Sequence, residues 1–346
     1  MKILFAIQRV IFPIIKINWI KFIYYYKRGA KMKVISSLYN NSKFSSELFI
    51  WELGYIKKLI ELKIPFEYGK INYNDKNKIL FWSPSLEFAP KNEYDYPTYL
   101  VNLAKKLEFN GNKIFNTSDE IEWLENKFFM YKKFDELKIN FPKTWLFISK
   151  NKIDFKSLSF PLLFKGDHSS ASQAIFKFNN VSDLKSFTDT LADNEKIILQ
   201  ELVEMRRDMR VTIVGGEIFS SFWRINTESE WRVTASSMGS LIRFENLEDK
   251  WKNYVLDVSR KCKLPTCGID ICFENDDTNN LPLILEISPR FSLNPNYDLS
   301  KVDYEYKEYK KKVFIKNSYR FLQTKELMHA ASIFVDYYLK NNNFLN

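Results

Sequence analysis

Lys165 closes a short apolar run, Phe160-Pro-Leu-Leu-Phe-Lys165, and the small-residue stretch Gly166-Asp-His-Ser-Ser-Ala-Ser172 follows it. Farther along, Gly268-Ile-Asp270 and Leu283-Ile-Leu-Glu286 each bring a carboxylate into an apolar stretch. An ammonium delivered by a buried strand is costly unless it meets anions, and a polyphosphate supplies them. A loop of serines and one glycine can wrap phosphates with backbone N–H and hydroxyl donors, which singles out Ser169 and Ser170. Two carboxylates on neighbouring strands make a hard-oxygen site suited to Mg2+ held between protein and phosphate. Lys165 is therefore a candidate phosphate ligand, and Asp270 and Glu286 are candidate metal ligands. Together they point to a nucleoside triphosphate and a divalent cation.

Little else in the chain suggests chemistry, because it holds only two histidines and three cysteines. Cys262, Cys267 and Cys272 lack a close ligand pair and an obvious fourth ligand, so they read as reduced core cysteines of a cytosolic protein rather than a metal cluster. At 346 residues, 45% apolar and 27% charged, the chain has the composition of a folded protein with room for two or three domains. The net charge of +10 is uneven. Residues 1–33 carry eight cations and no acid, leaving +2 for the remainder. The body is thus not a basic nucleic-acid binder, and no nucleic-acid partner is expected.

Within the basic leader, 1–31, Lys2, Arg9 and Lys16 recur every seven residues, one polar stripe on an otherwise apolar helix. No uncharged apolar run reaches the ~18 residues of a membrane span. Three readings stand side by side: an interfacial helix on an anionic membrane, an ordinary helix packed on the body, or a segment ahead of a start at Met32. The expected location is the cytoplasm, with peripheral contact at the inner face of the membrane under the first reading. Beyond Met32, apolar strands alternate with helices, and the helix through Leu48, Trp51, Tyr55, Leu59 and Leu62 has three- and four-residue spacing. That alternation predicts a small parallel α/β domain over 32–117. It has no glycine-rich phosphate loop, so its expected role is substrate positioning or packing. Val211 to Arg224 predicts a hairpin turning at Gly215-Gly216.

The middle of the chain resembles a known superfamily. Asn116-Thr-Ser-Asp-Glu leads into a predicted helix, Ile121 to Leu137, that carries Asn126-Lys127, and Lys138-Ile-Asn-Phe-Pro-Lys-Thr144 follows. This resembles the entry into an ATP-grasp domain, and the resemblance spans about 116–297 with its elements in the expected order. It implies an α/β, ATP-grasp fold in which two α+β lobes sandwich ATP, preceded by the small parallel domain. The implied boundaries are a linker helix and first lobe over 118–199, then a second lobe with a C-terminal helix over 200–346. Trp231-Arg232 is similar to the RimK-like and graspetide-maturase branches.

The resemblance also assigns roles. Lys127 joins Lys165 on the phosphates. Glu201 and Val203 lie at the adenine edge with Gln200 nearby, and Asp208 takes the ribose hydroxyls, with Glu204 as its rival. Arg224 faces the γ-phosphate, while Arg210 and Arg232 are further anion ligands. The usual Glu-x-Asn metal motif is replaced by Glu286-Ile-Ser288, which makes Asn294 or Asn296 the candidate substitute ligand. The implied cofactors are ATP and Mg2+. The implied reaction joins a carboxylate to an amine, on small molecules or peptides, through an acyl phosphate. An ATP-grasp kinase and a non-catalytic nucleotide-binding protein at a membrane are the alternatives.

Overall fold

The computed structural model describes residues 19–37, 46–90, 93, 95–168, 174–228, 230–235, 238–291, 293 and 319–344. It divides into two compact units, Met1–Glu122 with Lys310–Asn346, and Trp123–Tyr309.

The first unit begins with helix α1 (Trp19–Tyr25), followed by β1 (Met32–Ile35), α2 (Ser46–Glu61), β2 (Phe66–Gly69), β3 (Ile79–Phe81), α3 (Tyr96–Phe109), β4 (Lys113–Phe115) and α4 (Ser118–Ile121). The four strands pair in the order β2-β1-β3-β4, all parallel. β1 is buried along its whole length, as expected for a strand in a sheet covered on both faces. Its Lys33 is tolerated because Asp75 accepts from the ammonium at 2.7 Å.

The C-terminal helix, Tyr319–Asn341, belongs to this unit. The expectation that it closes the second lobe is corrected. Its Leu327, Ala330, Ala331, Phe334 and Tyr338 are buried, and Phe334 packs on Tyr55 and Trp51 of α2 while Tyr338 stacks on Phe115. A Cβ on Gly54 would lie 2.5 Å from Ala331 Cβ, so glycine is what lets the two helices approach. The apolar stripe of α2 needed a cover, and this helix provides it.

The second unit contains α5 (Lys127–Glu136), β5 (Thr144–Phe147), β6 (Leu162–Lys165), β7 (Ile175–Phe178), α6 (Val181–Asp189), β8 (Ile197–Glu201), β9 (Arg207–Val214), β10 (Glu217–Ile225), β11 (Leu241–Phe244), α7 (Asp249–Lys261), β12 (Cys267–Cys272) and β13 (Leu283–Ser288). They form two antiparallel sheets, β5-β8-β6-β7 and β11-β10-β9-β12-β13. The single helix expected over 121–137 is shorter: α4 ends at Ile121 and α5 begins only at Lys127. Asn126 breaks it, its side chain accepting from Phe129 N at 3.4 Å as an N-cap. Gly215 and Gly216 both adopt positive φ, the conformation that a tight hairpin turn demands.

Strand alternation sorts the larger sheet into two faces. Met209, Val211, Ile213, Ile269, Ile271, Ile284 and Ile287 join Val255 and Val258 of α7 and Met130 and Phe134 of α5 in one core. Asp208, Arg210, Thr212, Gly268, Asp270 and Glu286 fall on the opposite face. One irregularity interrupts β13. Pairing steps from Asp270↔Glu286 to Ile271↔Ile284, leaving Leu285 as the extra residue of a β-bulge.

Candidate active site

Helix α5, which begins with Lys127, is tied to the loop that follows Lys165 at the end of β6. Lys127 is the first residue of α5, and its N–H donates to Asp167 O at 3.4 Å. Phe128 N donates to the Asp167 carboxylate at 2.7 Å, so an acid from the loop after β6 satisfies the open N-terminus of α5. His168 Nδ1, 2.9 Å from Glu125 O, makes a second tie from that loop to the turn before α5. Lys127 and Lys165 are both buried. Ser169, Ser170, Asn294 and Asn296 lie outside the described residues.

Lys165 reaches across to the second sheet. Burial draws its ammonium down to about 8, against the opposing fields of Glu286, Asp270 and Asp208. Its Nζ donates to Tyr131 Oη at 2.9 Å, and that hydroxyl donates to Leu285 O at 2.9 Å. Tyr131 is 1% exposed. Burial, reinforced by Glu286, keeps its phenol far above the ordinary value and therefore neutral. Sequence reasoning missed Tyr131; the available signal was its place four residues after Lys127, on one face of the same helix.

The face of the larger sheet carries a four-charge network. The register sets Arg224 opposite Asp208 and Arg210 opposite Asp270. Arg210 chelates Asp270 through Nε and Nη2, the latter at 2.8 Å. Arg224 donates to Asp208 through Nε, at 3.1 Å, and Nη2, and also lies 2.8 Å from Asp270 Oδ2. Burial alone would raise the Asp270 carboxyl, but its two guanidiniums outweigh it and hold it well below the usual range. Asp208 has one guanidinium, which it shares, and burial pushes it up.

This geometry changes two of the sequence-based roles. Asp208 is enclosed with Arg224 and does not present a carboxylate to a ribose, whereas Glu204, just past β8, is exposed. Arg232 pairs with Glu228 at 3.3 Å and takes no part in the network of Arg210 and Arg224. Gln200 is buried on β8, its Nε2 donating to Thr144 Oγ1 at 2.8 Å and its side chain also meeting the Tyr131 hydroxyl. The Glu201 side chain accepts from Lys143 N at 2.8 Å, so β8 offers backbone rather than side-chain groups at its end. Val203 is half-buried directly beyond.

For the cation, Asp270 and Glu286 oppose each other in the β12–β13 register. No cluster of three or more His, Cys, Asp or Glu arranged for a metal occurs among the described residues. Two opposed carboxylates fit a hard cation that takes its other ligands from phosphate oxygens and water. The Glu286 carboxylate has no hydrogen bond or salt bridge among the described residues, whereas Asp270 would have to loosen its guanidiniums. Ser288 Oγ is occupied by the N–H of Arg290 at 3.2 Å.

Two antiparallel sheets thus bring a buried lysine from one towards buried carboxylates and guanidiniums on the other. Residues 125–307 match the RimK-like ATP-grasp domain, and the chain belongs to that family. It is 22% identical over 183 residues to human "Beta-citrylglutamate synthase B", covering 51% of this chain and 47% of that protein. It is 24% identical over 188 residues to "Coenzyme gamma-F420-2:alpha-L-glutamate ligase" of Methanocaldococcus jannaschii, covering 52% of this chain and 64% of that one. The chain thus spans about half to two thirds of the lengths of these relatives. Among solved structures, the RimK domain protein ATP-grasp of Sphaerobacter thermophilus shares the fold with a TM-score of 0.54 at 9% identity, covering 89% of this chain and 99% of that one. The ATP-grasp ligase PsnB, complexed with a phosphomimetic variant of its minimal precursor, Mg and ADP, gives a TM-score of 0.54 at 11% identity, covering 88% and 100%.

Proposed function

We propose that this chain is an ATP-dependent ligase joining a carboxylate to an amine. The observation that carries the proposal is the buried Lys165 ammonium in the fields of Glu286, Asp270 and Asp208, two of which are held by Arg210 and Arg224, with Lys127 one turn before the tyrosine that Lys165 contacts. Lys165, Arg210 and Arg224, with Lys127 at the head of α5, suit a triphosphate and a transferring phosphoryl group. In the reaction, a substrate carboxylate oxygen attacks the γ-phosphorus and the bond to the β-phosphate oxygen breaks, giving an acyl phosphate and ADP. The amine then attacks the acyl carbon, inorganic phosphate leaves, and the amine loses a proton. Lys127 and Lys165 hold phosphate oxygens, and Arg224, assisted by Arg210, stabilises charge on the transferring group. Asp270 and Glu286 would hold Mg2+, which neutralises phosphate charge when bound. Neither half-reaction needs a nucleophile from the protein.

The names of the relatives pair glutamate with other acids, which supports glutamate as the first amine to test. The test is ADP release screened against glutamate, other amino acids, peptides and sugar acids, with product masses recorded. A product equal to acid plus amine minus water supports ligation. A stable phosphorylated product formed without amine supports a kinase, and ATP binding with no turnover in any mixture supports a non-catalytic role.

A second reading concerns location. In the described part of the leader, Phe22 packs on Phe66 and Lys27 N donates to Phe66 O at 2.9 Å, which supports the packed-helix expectation. The other side carries Ile23 and Tyr24, 70% and 71% exposed, among exposed Lys21, Lys27, Arg28 and Lys31. We propose that this side rests on an anionic membrane surface at the cytoplasmic face. No helix among the described residues is long and apolar enough to cross a membrane.

A further inference from the structure

The phenol of Tyr131 links elements from both sheets of the site. It sits on α5, one turn after Lys127. It accepts from Lys165 at the end of β6 and donates to Leu285 of β13, the residue just before Glu286. That carbonyl belongs to the extra residue of the bulge, which has no partner in the β12–β13 register. A bulge re-aims the side chain beside it, and here that side chain is Glu286. The tyrosine ring is separately secured, stacked on Phe141 with centroids 5.9 Å apart and edge-on to Phe134 at 5.9 Å. The hydroxyl therefore has a fixed position, and being neutral it adds a dipole without adding a charge.

We propose that Tyr131 is a positioning residue: anchored on the bulge carbonyl of Leu285, its hydroxyl fixes the Lys165 ammonium relative to Lys127 and Glu286. This rests on the reading of the site as an ATP site. An ammonium has three donors. Tyr131 takes one, and the other two remain for phosphate oxygens. Without the hydroxyl, Lys165 keeps its charge but loses its bearing, and Leu285 O is left without its donor.

The test is a double-mutant cycle of Tyr131→Phe and Lys165→Met, read as ATP affinity and thermal midpoint, with kcat and KM once a turnover assay exists. Tyr131→Phe alone should weaken ATP binding about 10-fold, since a bond to a charged group is lost. In the Lys165→Met background the same change should have no further effect on ATP affinity, because the pair acts as a unit. KM for ATP should rise more than kcat falls. Equal effects of Tyr131→Phe in both backgrounds would overturn the proposal, because the hydroxyl would then serve packing alone. If Lys165→Met weakens ATP binding while Tyr131→Phe matches wild type, the positioning role fails and the ATP site stands. If Lys165→Met itself binds ATP like wild type, the ATP-site reading fails and the positioning role with it. Should Tyr131→Phe fail to fold while the double variant folds, the pairing is supported, since removing the ammonium removes the conflict. Failure of both to fold would overturn it.

Discussion

Arg224→Met offers a sharp test of the charge network, because its cost should depend on pH in a stated direction. The methionine roughly fills the arginine stem but removes the guanidinium that Asp208 depends on and that Asp270 shares with Arg210. The side chains of Asp208 and Arg224 are 2% and 12% exposed, so solvent screens little of the loss. Breaking a buried ion pair from one side costs about 3–5 kcal/mol. In the variant, Asp208 loses its cation, and its folded pKa rises further above the unfolded value of about 4. A carboxyl raised in this way costs stability above its folded pKa, and that cost vanishes as pH falls towards the unfolded pKa. Asp270 behaves oppositely in the wild type. Its lowered pKa contributes stability that is present above the unfolded value and is lost only as pH falls through the folded one. The penalty of Arg224→Met should therefore be largest near pH 8 and shrink towards ~1 kcal/mol near pH 5, the residue of lost hydrogen bonds. For a unit of this size the thermal midpoint moves about 3 °C per kcal/mol, so the variant should melt roughly 10 °C lower at pH 8. Thermal unfolding of both proteins across pH 5–8 measures this. A penalty unchanged across that range, or below about 1 kcal/mol throughout, would refute the buried-pair reasoning. Lost turnover alone would not decide it, since a phosphate-contacting arginine would also lose turnover.

Glu286→Gln should lower turnover by at least ~100-fold while leaving metal-free ATP affinity within about 3-fold, because a cation acts mainly on charge developed during transfer; wild-type turnover of the variant at limiting Mg2+ would contradict this. Gly268→Ala should destabilise by about 1–3 kcal/mol, since the new Cβ would lie 2.7 Å from Phe291 Cβ and 3.4 Å from Arg210 Cδ; an unchanged midpoint in urea unfolding would mean that Phe291 yields freely. Replacing Ile23 and Tyr24 with serine should reduce co-sedimentation with anionic vesicles and leave the melting curve unmoved, and Arg28→Gln should weaken binding by about 1 kcal/mol. A full chain that ignores anionic vesicles even at low salt would end the membrane reading.

Much of the fold was legible where one residue carried a strong local constraint. Gly215-Gly216 announced the hairpin, and the alternation beyond Met32 announced a parallel sheet. The apolar runs around Asp270 and Glu286 announced two neighbouring strands, and the register pairs these two residues. Other elements gave weaker cues. β5 (Thr144–Phe147) is only half-buried at every position, so its residues show no period-two contrast. β7 places Phe176 exposed beside buried Phe178, which blurs the same signal. α5 was read as longer than it is, because Asn126 resembles an interior residue of a polar helix until its side chain is seen to cap.

The partners of the site charges were legible in kind but not in pairing. Arg210, Arg224, Asp208 and Asp270 lie on three strands, and only register decides which cation neutralises which carboxylate. The register sets Arg210 against Asp270 and Arg224 against Asp208, which removes Asp208 from the expected ribose contact. It also means that a cation approaching Asp270 competes with two guanidiniums already in place, whereas Glu286 has no guanidinium on it among the described residues and meets the field of Lys165. The two carboxylates thus differ in cost. Glu286 can be engaged at once, while engaging Asp270 requires Arg210 or Arg224 to turn elsewhere, and the γ-phosphate is the anion that could receive them. Metal binding and arginine–phosphate contact are therefore linked, and each should be weaker when measured without the other.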